Sequence, residues 1–220
     1  MRSRALILWP MAFALLAISS VPTVRADSAN DQEYRLKAAF LCNFMMFVEG
    51  QRFDWESDEK KPSDPNEPVH IGIIGKTPFG RAFEPLKDKQ IRNRSVIVKR
   101  FKGLSELIDE DGHSPQQHPQ TEAIRRCHVL FICASEEAHV DTILNPIRTL
   151  GILTVADMPG FLEAGGMINF VIHDKKVRFE INTAAAKRAK LQIRARLLRL
   201  ARRVMTHDAI ERHDDEGNET

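Results

Sequence analysis

Apolar residues near the start of the chain fall at helical intervals. Leu36, Phe40, Phe44 and Phe47 recur at steps of four and three, with Leu41 and Val48 beside them. This spacing predicts a helix over residues 31–48 whose aromatic stripe faces a core, opened by the polar run Ser28-Ala29-Asn30-Asp31. A polar, proline-broken loop follows over 50–68, and the helical period then gives way to short apolar runs. Four of them read as buried strands: Val69-His70-Ile71-Gly72-Ile73-Ile74, Ser95-Val96-Ile97-Val98, His128-Val129-Leu130-Phe131-Ile132-Cys133 and Ile152-Leu153-Thr154-Val155. Between them the pattern predicts a short helix over 78–86, an aperiodic loop over 109–121, and a helix opened by Ser135 with Glu136 and Glu137 and closed near Leu150-Gly151. Residues 167–172 and 177–181 flank His173-Asp174-Lys175-Lys176 as a hairpin, and a long helix is expected over 183–205. Strand–helix alternation of this kind implies an α/β fold: a mixed, mostly parallel sheet with helices on both faces, finished by a C-terminal β-hairpin plus long helix.

The first 26 residues stand apart from that pattern. Arg2 and Arg4 precede an apolar stretch over 5–18, and Val24-Arg25-Ala26 places small residues three and one positions before Asp27. This is the layout of a cleaved Sec-type signal peptide. An uncleaved anchor is the alternative, disfavoured because the stretch is short for a span and Pro10 interrupts it. The expected organisation is a signal peptide over 1–26, one α/β domain over 27–206 and an acidic, disordered tail over 207–220, with the mature protein in the periplasm.

Cleavage changes the charge balance. The whole chain carries 32 basic and 30 acidic side chains, and losing Arg2, Arg4 and Arg25 leaves 29 against 30, a net of −1. A near-neutral exported chain offers nothing that would attract nucleic acid. Charge is nevertheless segregated. Residues 187–203 carry eight bases and no acid, whereas 208–220 carry six acids and one Arg. In the expected long helix Arg188, Arg196, Arg199 and Arg203 share one face, and Leu197, Leu200, Ala201 and Val204 the other.

Candidate chemistry is sparse. Gly75-Lys76-Thr77 follows a strand, but His70 stands where a phosphate-binding loop needs its first Gly, and Pro78 removes an amide donor. His113, His118, Cys127, His128 and Cys133 match no standard zinc spacing. No G-x-S-x-G elbow is present, and Cys133-Ala134 stands where a receiver domain would carry its acceptor Asp. The odd count of Cys42, Cys127 and Cys133 leaves at least one thiol outside any intramolecular bridge. A Cys127–Cys133 bridge requires the intervening strand, about 20 Å if extended, to bend before His128. No catalytic residue, metal site or cofactor is indicated. In open α/β sheets small ligands bind beyond the carboxyl ends of the strands, which makes Lys76, Thr77, Ser135 and Asp157 a candidate ligand cleft.

Three stretches are more specific. They are Tyr34-Arg35-Leu36-Lys37-Ala38-Ala39-Phe40-Leu41-Cys42-Asn43-Phe44, Gly165-Gly166-Met167-Ile168-Asn169-Phe170, and Val177-Arg178-Phe179-Glu180-Ile181-Asn182 leading to Arg196-Leu197-Leu198-Arg199-Leu200-Ala201. In this order and separation they resemble the YfiR family of exported bacterial regulators, over roughly residues 34–204. The resemblance implies a periplasmic, dimeric, non-enzymatic protein. It would bind the periplasmic domain of an inner-membrane diguanylate cyclase and hold it inactive, lowering cyclic di-GMP and acting on biofilm and motility.

Two features depart from the family pattern: Ala189-Lys190-Leu191 replaces the expected Ala-Gly-Leu, and the cysteines do not match a disulfide-stabilised arrangement. Gly165-Gly166 permits a sharp turn into Met167, and Asn182 can cap the following helix. Arg178 and Glu180 share one strand face opposite Val177, Phe179 and Ile181. The partner or ligand surface expected from these stretches comprises Lys37, Asn43, Gly165, Gly166, Met167, Asn169, Arg178, Glu180 and Asn182. The alternative function is a periplasmic small-ligand-binding accessory protein serving a sensor kinase or transporter.

Overall fold

A computed structural model describes residues 25–53, 67–86, 89–107, 115 and 117–207. Residues 1–24 of the expected signal peptide, most of the acidic tail, His113 and much of the expected loop over 109–121 lie outside the described residues, while Arg25 and Ala26 open the first helix.

Helix α1 (Arg25–Phe44) begins earlier and ends sooner than its apolar spacing predicts. Met46 and Phe47 donate to the carbonyls of Asn43 and Phe44 in tight turns, and Val48 is drawn into the two-residue strand β1 (Val48–Glu49). The face of α1 turned to the sheet carries Ala38, Leu41 and Phe44, and Met45 follows in the turn, all fully buried. Leu36, two residues and thus about 200° before Ala38, is 45% exposed rather than part of the inward stripe. Phe40 and Phe44 pack against Phe170 and Phe179 with ring centroids 5.1–5.9 Å apart, each such pair adding about 0.5–1.5 kcal/mol beyond area burial.

The sheet contains β2 (Val69–Ile74), β3 (Gln90–Ile91), β4 (Arg94–Phe101), β5 (Val129–Ile132), β6 (Leu153–Ala156), β7 (Ile168–His173), β8 (Lys176–Asn182) and β10 (Arg203–Met205). Their order is β10-β8-β7-β6-β5-β2-β4-β3. β4, β2, β5, β6 and β7 run parallel, while β8 returns antiparallel to β7. Two buried clusters fill the two faces. One includes α1, Phe131 and Phe170; the other includes Leu130, Ile132 and the short helices α2 (Thr121–Arg125) and α3 (Val140–Leu144). The α/β class, the largely parallel sheet and the hairpin therefore stand as the apolar runs predict. The hairpin closes through Asp174 and Lys175, both at positive φ (51° and 58°), the two-residue turn that matches strand twist.

The long helix over 183–205 does not form. In its place are α4 (Thr183–Arg188), β9 (Gln192–Ile193), α5 (Ala195–Leu198) and β10. Asn182 caps α4, its Oδ1 accepting from the Ala185 amide at 3.0 Å. The helix stops in a Schellman turn: the Leu191 amide donates to Ala186 O and the Lys190 amide to Lys187 O, both at 2.8 Å, with Lys190 left-handed at φ 58°. Beyond the turn, β9 pairs antiparallel with β1, and β10 pairs parallel with β8. Strand pairing thus overrides helical periodicity. The shared basic face of Arg188, Arg196, Arg199 and Arg203 dissolves with the helix, and Leu200 and Val204 are 61% and 39% exposed.

Two other helical expectations change. Residues 78–86 form turns ending in a 3-10 turn, Glu84–Leu86. The segment after β5 begins as a 3-10 helix, Ala134–His139, with Cys133 rather than Ser135 at its start.

Candidate functional site

The central strand order β4-β2-β5-β6-β7 reverses direction between β2 and β5, the topological switch where open α/β sheets hold ligands. The loops there carry Gly75-Lys76-Thr77 and Cys133-Ala134-Ser135-Glu136. The structure brings Lys76 and Ser135 together, the Lys76 amide donating to Ser135 Oγ at 3.0 Å. Thr77 Oγ1 turns back to accept from the Phe79 amide.

Glu136 enters the same place although its sequence position indicates only a helix-opening acid. Its side chain is fully buried, and its carboxylate accepts from Ser135 Oγ (2.8 Å), Ser105 Oγ (2.7 Å) and the Ser105 amide (3.3 Å). A Cβ on Gly75, whose φ is +98°, would lie 2.8 Å from Glu136 Oε1, and one on Gly103 would collide with the same carboxylate. Three donors and two glycines therefore seat the buried Glu136 side chain at the switch point.

Asp157 follows β6 and is tied to α1 instead. It accepts from Lys37 Nζ at 2.7 Å and from Tyr34 Oη at 2.8 Å. Lys37 also pairs with Glu33 at 2.6 Å and lies 4.2 Å from the Tyr34 ring centroid. Burial and the Asp157 carboxylate push the Tyr34 phenol well above its ordinary range. Lys37 is only 3% exposed, so this cluster acts as a polar clamp between helix and sheet.

The remaining candidate residues divide by burial. Gly165 (φ +90°) and Gly166 form the turn before β7, where side chains would strike Arg148 and Phe161 respectively. Met167 donates its amide to Thr154 Oγ1, Asn169 Oδ1 accepts from the Met158 amide, and Asn182 Nδ2 donates to Leu162 O. All five are buried. Glu180 is 5% exposed and pairs with Arg202 at 2.7 Å and Arg203 at 2.8 Å, not with its strand neighbour Arg178. The hydrogen bonds that Arg203 donates to Glu180 and Glu163 raise its pKa further. Only Asn43 and Arg178 of the set are exposed. Arg178 borders a surface hollow of about 530 Å³ with Glu33, Leu36, Ile172, Lys175 and Lys176.

Near the opposite ends of the strands, the His70 amide donates to His128 Nδ1 at 3.1 Å, and the rings stack at 6.2 Å. Burial, with His70, Arg52 and Arg94 nearby, lowers the His128 pKa to about 4. Cys42, Cys127 and Cys133 are free and buried, and Cys127 and Cys133 belong to different core clusters. Burial is the largest cause raising their pKa values, to about 11, 11 and 12. Among the described residues, no group of three His, Cys, Asp or Glu side chains could hold a metal ion.

The family model for YfiR/HmsC-like proteins matches residues 34–202, well over half of the chain. The chain belongs to the YfiR/HmsC-like family. It is thus a YfiR-like protein, and the family is one of periplasmic regulators. Among the described residues no helix is long and apolar enough to cross a membrane. No curated protein matches the chain. Among solved structures, a conserved domain protein from Vibrio cholerae O1 biovar El Tor shares the fold at a TM-score of 0.50 and 9% identity. That match covers 78% of this chain and 60% of the other, so the YfiR-like chain spans less than two thirds of its structural relative.

Proposed function

We propose that this protein binds the periplasmic domain of an inner-membrane diguanylate cyclase and represses it, working as a non-enzymatic homodimer. The observation that carries the reading is the family match over residues 34–202. A surface suited to a protein partner accompanies it: Leu36 and Ile172 are 45% and 55% exposed beside the hollow bordered by Lys175, Lys176 and Arg178. Apolar side chains bordered by three cations and by Glu33 fit a partner patch that is apolar at its centre and mainly acidic at its rim.

Cross-linking the tagged protein in living cells, followed by mass spectrometry, tests the proposal directly. Recovery of a membrane diguanylate cyclase, with a rise in cyclic di-GMP on deletion, is the expected result. Flat cyclic di-GMP and no recovered cyclase would overturn it. Recovery of a sensor kinase or transporter instead would move the function to the accessory-sensor reading.

A further inference from the structure

A surface hollow of about 500 Å³ lies between the turn after β1, the connection from α3 to β6 and the end of α4. Its charged side chains are Arg52 and Lys190, and no acid lines it. Arg52 is half-buried and held in place, its Nε donating to Leu150 O at 2.6 Å and its Nη1 to Cys127 O at 3.5 Å. Both partners are neutral carbonyls, and burial lowers the Arg52 pKa. Glu49, three residues earlier, pairs with Arg194 instead. Among the described residues neither Arg52 nor Lys190 makes an ion pair.

Lys190 supplies a second, independent observation. It sits in the left-handed region at φ 58°, a conformation that glycine adopts more easily. The turn that ends α4 uses only its backbone, the Lys190 amide donating to Lys187 O. A side chain kept at a strained position points to a use beyond the turn. Here it is exposed between the hollow and a C-terminal groove, formed by α4, β9 and β10, whose lining is mainly apolar. Gln51 and Thr149 add an exposed amide and hydroxyl to the hollow, neither of them hydrogen-bonded among the described residues.

We propose that this hollow binds a small dianion of the phosphate-monoester class, with the Arg52 guanidinium and the Lys190 ammonium on the phosphoryl oxygens and Gln51 and Thr149 as further donors. Two cations match the charge of about −2 that a phosphate monoester carries above its second pKa of about 6. The Arg52 bonds to Leu150 and Cys127 leave its Nη2 hydrogens for an oxyanion. The volume of about 500 Å³ admits an organic group attached to the phosphoryl. The hollow shares no residue with the one bordered by Leu36 and Ile172, and its occupancy does not depend on the identity of the membrane partner.

Titration of the full mature chain with glycerol 3-phosphate at about pH 7.5, where the monoester is a dianion, tests the proposal through amide resonances. Saturable shifts are expected at Arg52, Gly151 and Lys190, and inorganic phosphate should move the same resonances. Lys190→Gly, which suits the left-handed turn, should stay folded and bind about tenfold more weakly. Lys190→Arg should retain the affinity. Undiminished binding by Lys190→Gly, or shifts that sodium chloride at equal ionic strength reproduces, would overturn the proposal. Equal or tighter binding of the dicarboxylate succinate would overturn the assignment to phosphate monoesters.

Discussion

The carboxyl ends of the central strands and the C-terminal groove show opposite uses of polar side chains. At the strand ends, Glu136 and Asp157 have their bonds filled from within by Ser105, Ser135, Tyr34 and Lys37. Around the groove between α4, β9 and β10, apolar walls of Ala186, Leu191, Ile193 and Val204 face outward, and among the described residues Lys187 and Lys190 make no ion pair. The first region has the chemistry of a binding site and uses it to hold the fold together. The second has unremarkable residue types and an open surface. Residue type alone therefore locates polar chemistry, while its satisfaction decides whether any is left for a ligand.

The contrast is broken most strongly by Asp157→Ala. Removing the carboxylate strands buried Lys37 with Glu33 alone, and the expected loss is about 3 kcal/mol of unfolding free energy, read by urea denaturation. Adding Lys37→Met should return part of that loss, because no unpaired buried charge remains.

Acid provides the next largest effect. The His128 pKa is lowered from 6.5 to about 4 in the folded protein, so the unfolded chain binds the proton first as pH falls. The associated stability is complete above about pH 6.5 and is lost as pH falls toward 4, a total on the order of 3 kcal/mol. Urea midpoints at pH 7 and pH 5 should differ accordingly, and His128→Gln should flatten that difference.

Lys190→Gly should act in the other direction. Relieving a left-handed lysine stabilises by up to about 1 kcal/mol, after allowance for the greater freedom of glycine in the unfolded chain. A rise in Tm checks it. The smallest stability change is expected for Ile172→Asp, within about 0.5 kcal/mol because the side chain is on the surface. The same variant should lose the cross-linked membrane partner.

Much of the scaffold was legible in the sequence. Continuous runs such as Val129-Leu130-Phe131-Ile132 become strands buried on both faces, and Asp174-Lys175 between two strand patterns marks the hairpin turn. The segment over 183–205 misled because Leu197, Leu200 and Val204 fit a helical period, whereas pairing of Gln192–Ile193 with β1 and of Arg203–Met205 with β8 breaks the helix into short pieces. The departure from Ala-Gly-Leu was informative: Lys190 occupies the left-handed position that a glycine fills most easily. The site was less legible. Asp157 and Ser135 are visible at strand ends, but nothing local reveals that Lys37, 120 residues away, claims Asp157. Nor does local sequence show that Glu136 folds inward beneath Gly75 and Gly103.

The three buried thiols carry a consequence for biogenesis. An exported chain meets enzymes that oxidise cysteines while it is still unfolded, when Cys42, Cys127 and Cys133 are all accessible to them. Once the sheet has formed, Cys127 and Cys133 are sealed into different cores and all three sulfurs are kept as thiols. In the folded protein the sheet itself thus stands between Cys127 and Cys133, and packing does the holding that a covalent crosslink does in many exported domains.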